Sequence, residues 1–278
     1  MAIGEDAPME RLTDGYSLIE GPTWDGGGLV FSDVHTGGVQ RLDPSDRSVE
    51  TVIPKRRGVG GIAVHADGGF VVSGRNIQHV RDGEIRVLYE DETAGGFNDL
   101  GTDARGRVYI GSLRRNPFAD APETGSGECY RIELDGSATQ LYDDVGLTNG
   151  IGFSPDGSRM YHSDSAAGHV ILHDVDGDEL TNRRVFTRVD GMPDGLAIAA
   201  DGSVWVACPE GGCVRGYAPD GSVIEEVTVP QRFVTSCAFG GDGLAQLFIT
   251  TASDDAGTGS VYVTDIGVVG LEVPPARV

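Results

Sequence analysis

Six positions recur along the chain just before short apolar runs, and four of them carry a carboxylate or carboxamide side chain. They are separated by 40, 38, 51, 45 and 42 residues: Glu20, Gly60, Asn98, Asn149, Asp194 and Ser236. Oxygen ligands of this kind bind hard divalent cations, whereas softer metals prefer Cys and His. If the fold brings the four side chains together, the sequence predicts an all-oxygen metal site. Taken singly, Asn and Asp before a strand are equally typical of turns in which they bond to their own backbone.

The repeat itself indicates the fold that would position these residues. A self-similar unit of about 40 to 45 residues is typical of a β-propeller blade. Apolar runs within the units are joined by Asp-Gly pairs, which favour tight hairpin turns, at Asp67-Gly68, Asp156-Gly157, Asp201-Gly202 and Asp242-Gly243. No helical periodicity is sustained anywhere in the chain. The sequence therefore predicts one all-β domain over residues 1–278, a six-bladed β-propeller with a central metal channel.

Ring closure gives the recurring positions a common location. The first strand of each propeller blade lines the channel, so the residue just before it is predicted to lie at one mouth of that channel. Glu20, Asn98, Asn149 and Asp194 would then converge on a single divalent ion. The run at 261–264 supplies only a third strand for the last blade, and a strand near residues 10–12 is expected to complete it and remove an exposed sheet edge.

Composition excludes several classes of partner. The chain has 21 Lys and Arg against 43 Asp and Glu, a net charge of −22. Nucleic acids and anionic membranes are polyanions, so neither is expected to bind. No apolar run reaches the ~18 residues of a membrane span, and the acidic start of the chain does not resemble a secretory signal. We expect a cytoplasmic protein, a monomer or homodimer, that binds a small molecule.

The four cysteines are Cys129, Cys208, Cys213 and Cys237, and their spacing matches no zinc motif. Reduced, partly buried thiols are expected for a cytoplasmic protein. Because Cys208 and Cys213 flank a predicted turn, a disulfide across that hairpin is the alternative.

The loops that follow the second strand of each blade are predicted to surround the same mouth. His35 and Arg114 lie in two of these loops, and both are candidates for holding an anionic or polar substrate group, with a solvated surface position as the alternative. The loop at 114–127 is the longest and accounts for the 51-residue spacing. Long loops in compact folds are commonly lids or specificity elements, although a tolerated surface insertion is equally compatible with the sequence.

An ordered set of motifs resembles the gluconolactonase/regucalcin (senescence marker protein) and luciferin-regenerating enzyme family, over nearly the whole chain. The motifs are Glu20-Gly21-Pro22-Thr23-Trp24, Phe97-Asn98-Asp99, Thr148-Asn149-Gly150-Ile151, Pro193-Asp194-Gly195-Leu196 and Cys237-Ala238-Phe239-Gly240-Gly241. The resemblance implies a six-bladed propeller whose metal ligands are Glu20, Asn149 and Asp194. It also implies that Asn98 lies by the metal and helps to hold the substrate. The diisopropyl fluorophosphatase group resembles the chain at the same four positions.

One position departs from the family pattern. Sugar-lactone members usually carry Arg two residues before the Asn of the N-D motif, where this chain has Gly96. The departure puts gluconolactone in doubt as a substrate and favours a less polar lactone or an ester. Phe97 is then predicted to form part of an apolar wall of the substrate site.

The predicted function is metal-dependent hydrolysis of a lactone, either a sugar lactone or a less polar lactone or ester. Calcium is the expected ion, with zinc, magnesium or manganese as alternatives. The ion would polarise the carbonyl and activate water, and Asp194 would act as general base or nucleophile. A phosphotriesterase or fluorophosphatase using the same site is one alternative. A non-catalytic binding propeller stapled by its metal is another, although interaction propellers need no such cluster of oxygens.

Overall fold

The structure, a computed structural model, describes residues 8–114, 126–253 and 258–278. Within these ranges the chain forms six four-stranded antiparallel sheets and one short 3-10 helix, Asp242–Leu244. The sheets are the six blades of a β-propeller, so the predicted all-β fold is confirmed.

The first described strand, β1 Glu10–Tyr16, belongs to the last blade, and the other five blades are each built from four consecutive strands. Blades one and two consist of β2 Ile19–Trp24, β3 Leu29–Asp33, β4 Val39–Leu42, β5 Val49–Ile53, and of β6 Ile62–Val64, β7 Phe70–Val72, β8 Ile77–Arg81, β9 Glu84–Tyr89. Blades three and four consist of β10 Gly96–Thr102, β11 Val108–Leu113, β12 Gly127–Ile132, β13 Ala138–Val145, and of β14 Thr148–Phe153, β15 Arg159–Asp164, β16 His169–Asp176, β17 Glu179–Arg188. Blade five consists of β18 Leu196–Ile198, β19 Val204–Cys208, β20 Cys213–Tyr217, β21 Val223–Thr228.

Blade six is closed by the start of the chain. Its inner strands are β22 Val234–Gly240, β23 Gln246–Thr251 and β24 Gly259–Thr264, and β1 pairs antiparallel with β24. Leu12 of β1 is buried in the same apolar cluster as Val261 and Val263 of β24. The expected closing strand is therefore present, and it covers the sheet edge that β24 would otherwise expose.

The first strands of neighbouring blades contact one another around the ring and line the channel. Their packing is close enough to require glycine, because a Cβ on Gly101 of blade three would lie 2.6 Å from the carbonyl oxygen of Ile151 in blade four. A cavity of about 1040 Å³ follows the channel and is lined mainly by these strands and by residues 271–275.

The inner strands are irregular at the recurring polar positions. Register shifts fall between Glu20 and Thr23, between Phe97 and Leu100, between Thr148 and Ile151, and between Val234 and Ser236. Bulges of this kind leave residues unpaired in the ladder and re-aim their side chains. Glu20, Asn98, Asn149 and Ser236 therefore lie inside or at the bulged start of their strands, and only Gly60 and Asp194 stand before one, as predicted for all six.

The last described segment, 265–278, crosses the end of the channel opposite to these bulges. Leu271 N–H donates to the Ile198 carbonyl in blade five, Thr102 Oγ1 of blade three donates to the Pro274 carbonyl at 2.5 Å, and Ala276 N–H donates to Val64 in blade two. The acceptors and donors in the blades are at the ends of inner strands, so this segment narrows the far mouth.

All four cysteines are free and buried, so Cys208 and Cys213 pair in register across β19 and β20 without a disulfide. Among the described residues no helix has the length and apolar character needed to cross a bilayer.

His173 of β16 is a buried histidine whose ring packs 4.4 Å from that of Tyr142. Its Nδ1 atom has no hydrogen-bond partner among the described residues. Burial, with a smaller contribution from Arg183 and Arg184, lowers the pKa of His173 to about 4. The folded protein thus holds this side chain neutral.

Replacing His173 with Phe should make the protein less sensitive to acid. The unfolded chain takes up a proton here near pH 6.5, whereas the folded protein does so only near pH 4, so stability is lost as pH falls through this window. Between about pH 7.5 and about pH 5 the loss is about 2 kcal/mol for one such histidine. Urea denaturation should show a correspondingly smaller drop in the free energy of unfolding for H173F.

The control for this experiment is His169→Phe, at a partly exposed position on the same strand. Equal acid sensitivity of H173F and the unmodified protein would contradict the conclusion that folding lowers the pKa of His173.

Candidate functional site

The structure brings the predicted oxygen-bearing side chains to one end of the channel. Asn98 Nδ2 donates to Asn149 Oδ1 at 2.6 Å and to the Thr148 carbonyl at 2.8 Å. Glu20 and Asp194 lie close enough for the charge of one to raise the pKa of the other. Residues from blades one, three, four and five, separated by up to 174 positions in the chain, thus share one small region.

A continuous set of hydrogen bonds holds this mouth together from blade to blade. Each bond joins a residue beside a recurring position to the backbone of the neighbouring blade. The set comprises Ser32 Oγ to Val59 O, Phe97 N to Gly74 O, Asn98 Nδ2 to Thr148 O, Ser165 Oγ to Pro193 O, Gly195 N to Thr235 O and Thr235 Oγ1 to Ile19 O. All six blade boundaries are bridged in this way.

The carboxamide of Asn149 is fixed from both sides. Its Nδ2 donates to Ser165 Oγ at 2.7 Å, and its Oδ1 accepts from Asn98. Ser165 in turn donates to the Pro193 carbonyl at 2.5 Å, next to Asp194. Asn149 is only 7% exposed, so these bonds define which end of the amide faces Asn98.

The backbone of Asp194 is anchored, but one oxygen of its carboxylate is not. Asp194 N–H donates to the Ala207 carbonyl at 2.9 Å, and Gly150 N–H donates to the Asp194 carbonyl at 3.3 Å. Asp194 Oδ1 is buried and has no hydrogen-bond partner among the residues the structure describes. Buried polar atoms are nearly always satisfied, so an orphaned carboxylate oxygen makes this mouth a candidate site for a ligand or ion.

A third carboxylate, Asp99, lies beside the other two. Burial raises the pKa of Asp99 to about 7, against an opposing hydrogen bond from Leu100 N–H at 2.8 Å. Burial raises the pKa of Glu20 well above its usual range, and the charges of Asp194 and Asp99 raise it further. Burial and Asp99 do the same for Asp194. In the described part of the chain, no Lys or Arg forms an ion pair with any of the three.

The donor set fits a hard cation only if an amide oxygen takes part. No group of three or more His, Cys, Asp or Glu among the described residues is arranged to hold a metal by itself. Glu20 and Asp194 would therefore need the Asn149 oxygen as a further ligand, a set that calcium or magnesium accepts. Asn98 turns its amide nitrogen toward Asn149 and so supports the Asn149 oxygen.

Glycine at the second recurring position has a steric reason. A Cβ on Gly60 would overlap Asn98 Oδ1, and the Gly60 and Gly61 N–H groups both donate to Ser73 Oγ. Gly60 therefore supplies room for the Asn98 carboxamide in the next blade.

Two residues of this region, Asp99 and Ser165, were not predicted from the sequence. The signal for Asp99 was available, because the other five recurring positions are followed by Gly or Cys, whereas Asn98 is followed by a second polar residue. Ser165 lies in the turn after β15 and has no equivalent sequence signal.

Two of the residues predicted to contact substrate have other partners in the structure. Phe97 is 1% exposed and packs with Leu100 and Tyr130 in the core between blades, so its ring does not form a wall of the channel as predicted. The reason is the bulge after Phe97, which sends Asn98 and not Phe97 toward the mouth. Arg114 is held by Asp91 at 2.9 Å and by Glu128 at 2.8 Å, so it is part of an ion-pair network.

His35 is exposed in the turn after β3, where the prediction places it. Most of the predicted lid loop, residues 115–125, lies outside the described residues.

The structure also explains the departure at Gly96. Its φ is 148°, and a Cβ there would lie 3.0 Å from the Gly74 carbonyl oxygen. An Arg at this position would be strained, because L side chains rarely adopt this backbone conformation.

The chain is similar in sequence and in structure to known proteins. The chain is 34% identical to pentonolactonase XacC of Haloferax volcanii over 260 residues, which cover 87% of this chain and 84% of that protein. It is 32% identical to 6-deoxy-6-sulfogluconolactonase of Pseudomonas putida over 268 residues, or 88% of this chain and 89% of that one. A solved structure of luciferin-regenerating enzyme matches with a TM-score of 0.89 and 26% identity, covering 98% of this chain and 100% of that chain.

The family model described as the SMP-30/Gluconolactonase/LRE-like region matches residues 18–253, from just before Glu20 to the end of β23 and the turn beyond it. That range contains all six recurring positions. The chain therefore belongs to the SMP-30/gluconolactonase/LRE-like family, as its motifs predicted.

Proposed function

We propose that this propeller is a metal-dependent hydrolase that opens the ring ester of lactones. The observation that carries the proposal is the buried, partnerless Oδ1 of Asp194 beside two further carboxylates that lack a basic partner in the described ranges. Membership of the family and the lactonase names of two relatives, one acting on a pentonolactone and one on a sulfogluconolactone, support lactones as the substrate class.

Glu20, Asn149 and Asp194 would hold the ion, and calcium is the ion we propose, with zinc, magnesium or manganese as alternatives. The support is chemical, since two carboxylates and one carboxamide offer only oxygen ligands. Such an ion, when bound, polarises a carbonyl oxygen and stabilises the negative charge that develops on it during acyl transfer.

Asp194 is the group we propose to move the proton. Its backbone is anchored by Ala207, and a neighbouring positive charge would favour the ionised carboxylate that a general base requires. Water adds its oxygen to the lactone carbonyl carbon while Asp194 takes its proton. The ring C–O bond then breaks, and the proton passes to the departing alkoxide to give a hydroxy acid.

The remaining residues orient these groups. Asn98 keeps the Asn149 oxygen in place by donating to it, and Ser165 fixes the opposite end of the same amide. Because Gly96 leaves no cationic side chain at that position, we propose a sugar lactone with few polar contacts there or a less polar lactone or ester.

Replacing Asp194 with Ala should abolish lactone hydrolysis without unfolding the protein, because the residue precedes β18 and carries no core contact. Turnover of a lactone panel would be followed by acid release with added Ca²⁺, and circular dichroism would report the fold. Asp190→Ala, an exposed carboxylate four positions earlier, is the matched control. Unchanged turnover in D194A would refute the mechanism. Hydrolysis of paraoxon but of no lactone would show that the substrates are phosphotriesters.

Replacing Asp194 with Asn should stabilise the chelator-treated protein at neutral pH. Folding raises the pKa of this carboxyl above its usual value of 3.8, so the carboxylate destabilises the fold increasingly as pH rises above that value. D194N should therefore melt a few degrees higher than the unmodified protein in excess chelator, and this gain should shrink at acidic pH.

With calcium present, the unmodified protein should instead melt at a higher temperature than D194N, because the ion stabilises only the protein that binds it. Thermal melts with and without Ca²⁺, with Asp190→Asn as control, provide the measurement. A D194N protein that is less stable than the unmodified one in chelator would argue against charge repulsion at this site.

A further inference from the structure

A buried histidine in blade four is bonded through both of its ring nitrogens. His162 of β15 is fully buried, with Nδ1 2.6 Å from the Tyr142 hydroxyl and Nε2 2.6 Å from Thr148 Oγ1. Tyr142 comes from β13 at the outer edge of blade three, and Thr148 is the first residue of β14. The imidazole therefore spans from the blade boundary to the residue immediately before Asn149.

The direction of these hydrogen bonds follows from the available donors. A neutral imidazole has one donor and one acceptor nitrogen, and burial keeps His162 neutral by lowering its pKa to about 3. If Nε2 donated, the buried Thr148 hydroxyl proton would have no acceptor among its bonds in the described structure. With Thr148 donating to Nε2, Nδ1–H donates to the Tyr142 hydroxyl, whose own proton is left to face the neighbouring Cys129 thiol. The buried Thr148 proton then has an acceptor.

The Thr148 side chain has little room to change its rotamer. It is fully buried, and a Cβ on Gly111 of blade three would overlap its side chain. The absence of a side chain at Gly111 thus makes room for Thr148 and its bond to His162.

Thr148 contacts the candidate site through its backbone. Its carbonyl accepts from Asn98 Nδ2, and the same Nδ2 donates to Asn149 Oδ1. The register shift between Thr148 and Ile151 leaves Asn149 and Gly150 without ladder partners in β15. The ladder pair Thr148–Asp164 and the Gly150 N–H bond to the Asp194 carbonyl restrain the backbone on either side of Asn149. Side-chain bonds add the restraint that the missing ladder partners leave out.

We propose that His162, acting through Thr148, is a positioning residue that holds the bulged start of β14 so that the Asn149 carboxamide oxygen is presented to a divalent cation. This inference rests on the proposed metal-dependent function. His162 touches neither the ion nor the substrate, so its effect should be on metal affinity first and on turnover only through occupancy.

Two substitutions of His162 separate its two bonds. His162→Gln places a polar atom near the position of Nε2 and keeps the acceptor for Thr148, whereas His162→Asn places one near Nδ1 and keeps only the Tyr142 side. Thr148→Val and Thr148→Ser make the same distinction from the other end, because only Ser retains the hydroxyl. His169→Gln, a partly exposed histidine bonded to the Ala167 carbonyl, is the control.

Calcium affinity of the chelator-treated full chain would be measured by calorimetric titration, with thermal melts in chelator alongside. Loss of an outer hydrogen-bond partner commonly weakens metal binding about 10- to 100-fold. We expect H162N and T148V to weaken the calcium Kd by about tenfold or more. H162Q and T148S should restore affinity to within about threefold of the unmodified protein, although H162Q and H162N melt at similar temperatures because each loses one buried bond.

The outcomes separate this inference from the function on which it rests. If the unmodified protein binds no divalent cation, both fail. If it binds calcium and all variants bind equally well, the positioning role is overturned while the metal site stands. Equal losses of affinity in H162Q and H162N also overturn it, because His162 would then contribute packing and not a directed bond to Thr148.

Discussion

Three carboxylates crowded into a partly buried site, with no basic partner among the described residues, are the constraint on which the rest of this structure depends. Burial alone raises the pKa of Asp99 to about 7, and mutual repulsion adds to burial at Glu20 and Asp194. A fold selected for stability alone would replace these groups with apolar ones, because an uncompensated buried charge is among the most costly features of a protein interior. Their presence together at one mouth of the channel supports the proposed cation site.

The backbone of the inner strands is shaped to meet that constraint. Regular strands would alternate their side chains between the two faces of each blade, whereas the bulges free residues such as Glu20 and Asn149 from the ladder. Freed residues need other restraints, and here hydrogen-bonding side chains provide them: Ser165 and Asn98 hold Asn149, and Thr148 is held in turn by His162. The site thus exchanges ladder bonds for directed side-chain bonds that also fix amide orientation.

The fold and the main site residues follow from the sequence because both are periodic. The repeat length, the Asp-Gly turns and the recurrence of Glu20, Asn98, Asn149 and Asp194 each reflect one blade at a time, and such local regularity is visible without coordinates. The environment of a side chain is not local. Phe97 faces the core because a bulge reverses the expected alternation at that point.

Ser165 and His162 escape prediction because their partners are distant in the chain and partly in other blades: Ser165 donates to the Pro193 carbonyl, and His162 bonds Tyr142 of blade three. The mouth as a whole is an inter-blade structure. Its hydrogen bonds cross every boundary, including the last, where Thr235 Oγ1 of blade six donates to the Ile19 carbonyl of blade one at 2.5 Å. The same two blades are also joined through the chain, because β1 pairs with β24 in blade six and leads directly into β2 of blade one. Glu20 directly follows Ile19, so the position of a proposed ligand depends on a closure made at the outer edge of the adjoining blade. Ring closure therefore bears on the position of the proposed ligand Glu20 as well as on stability, because the bridging hydrogen bonds link each blade to both of its neighbours.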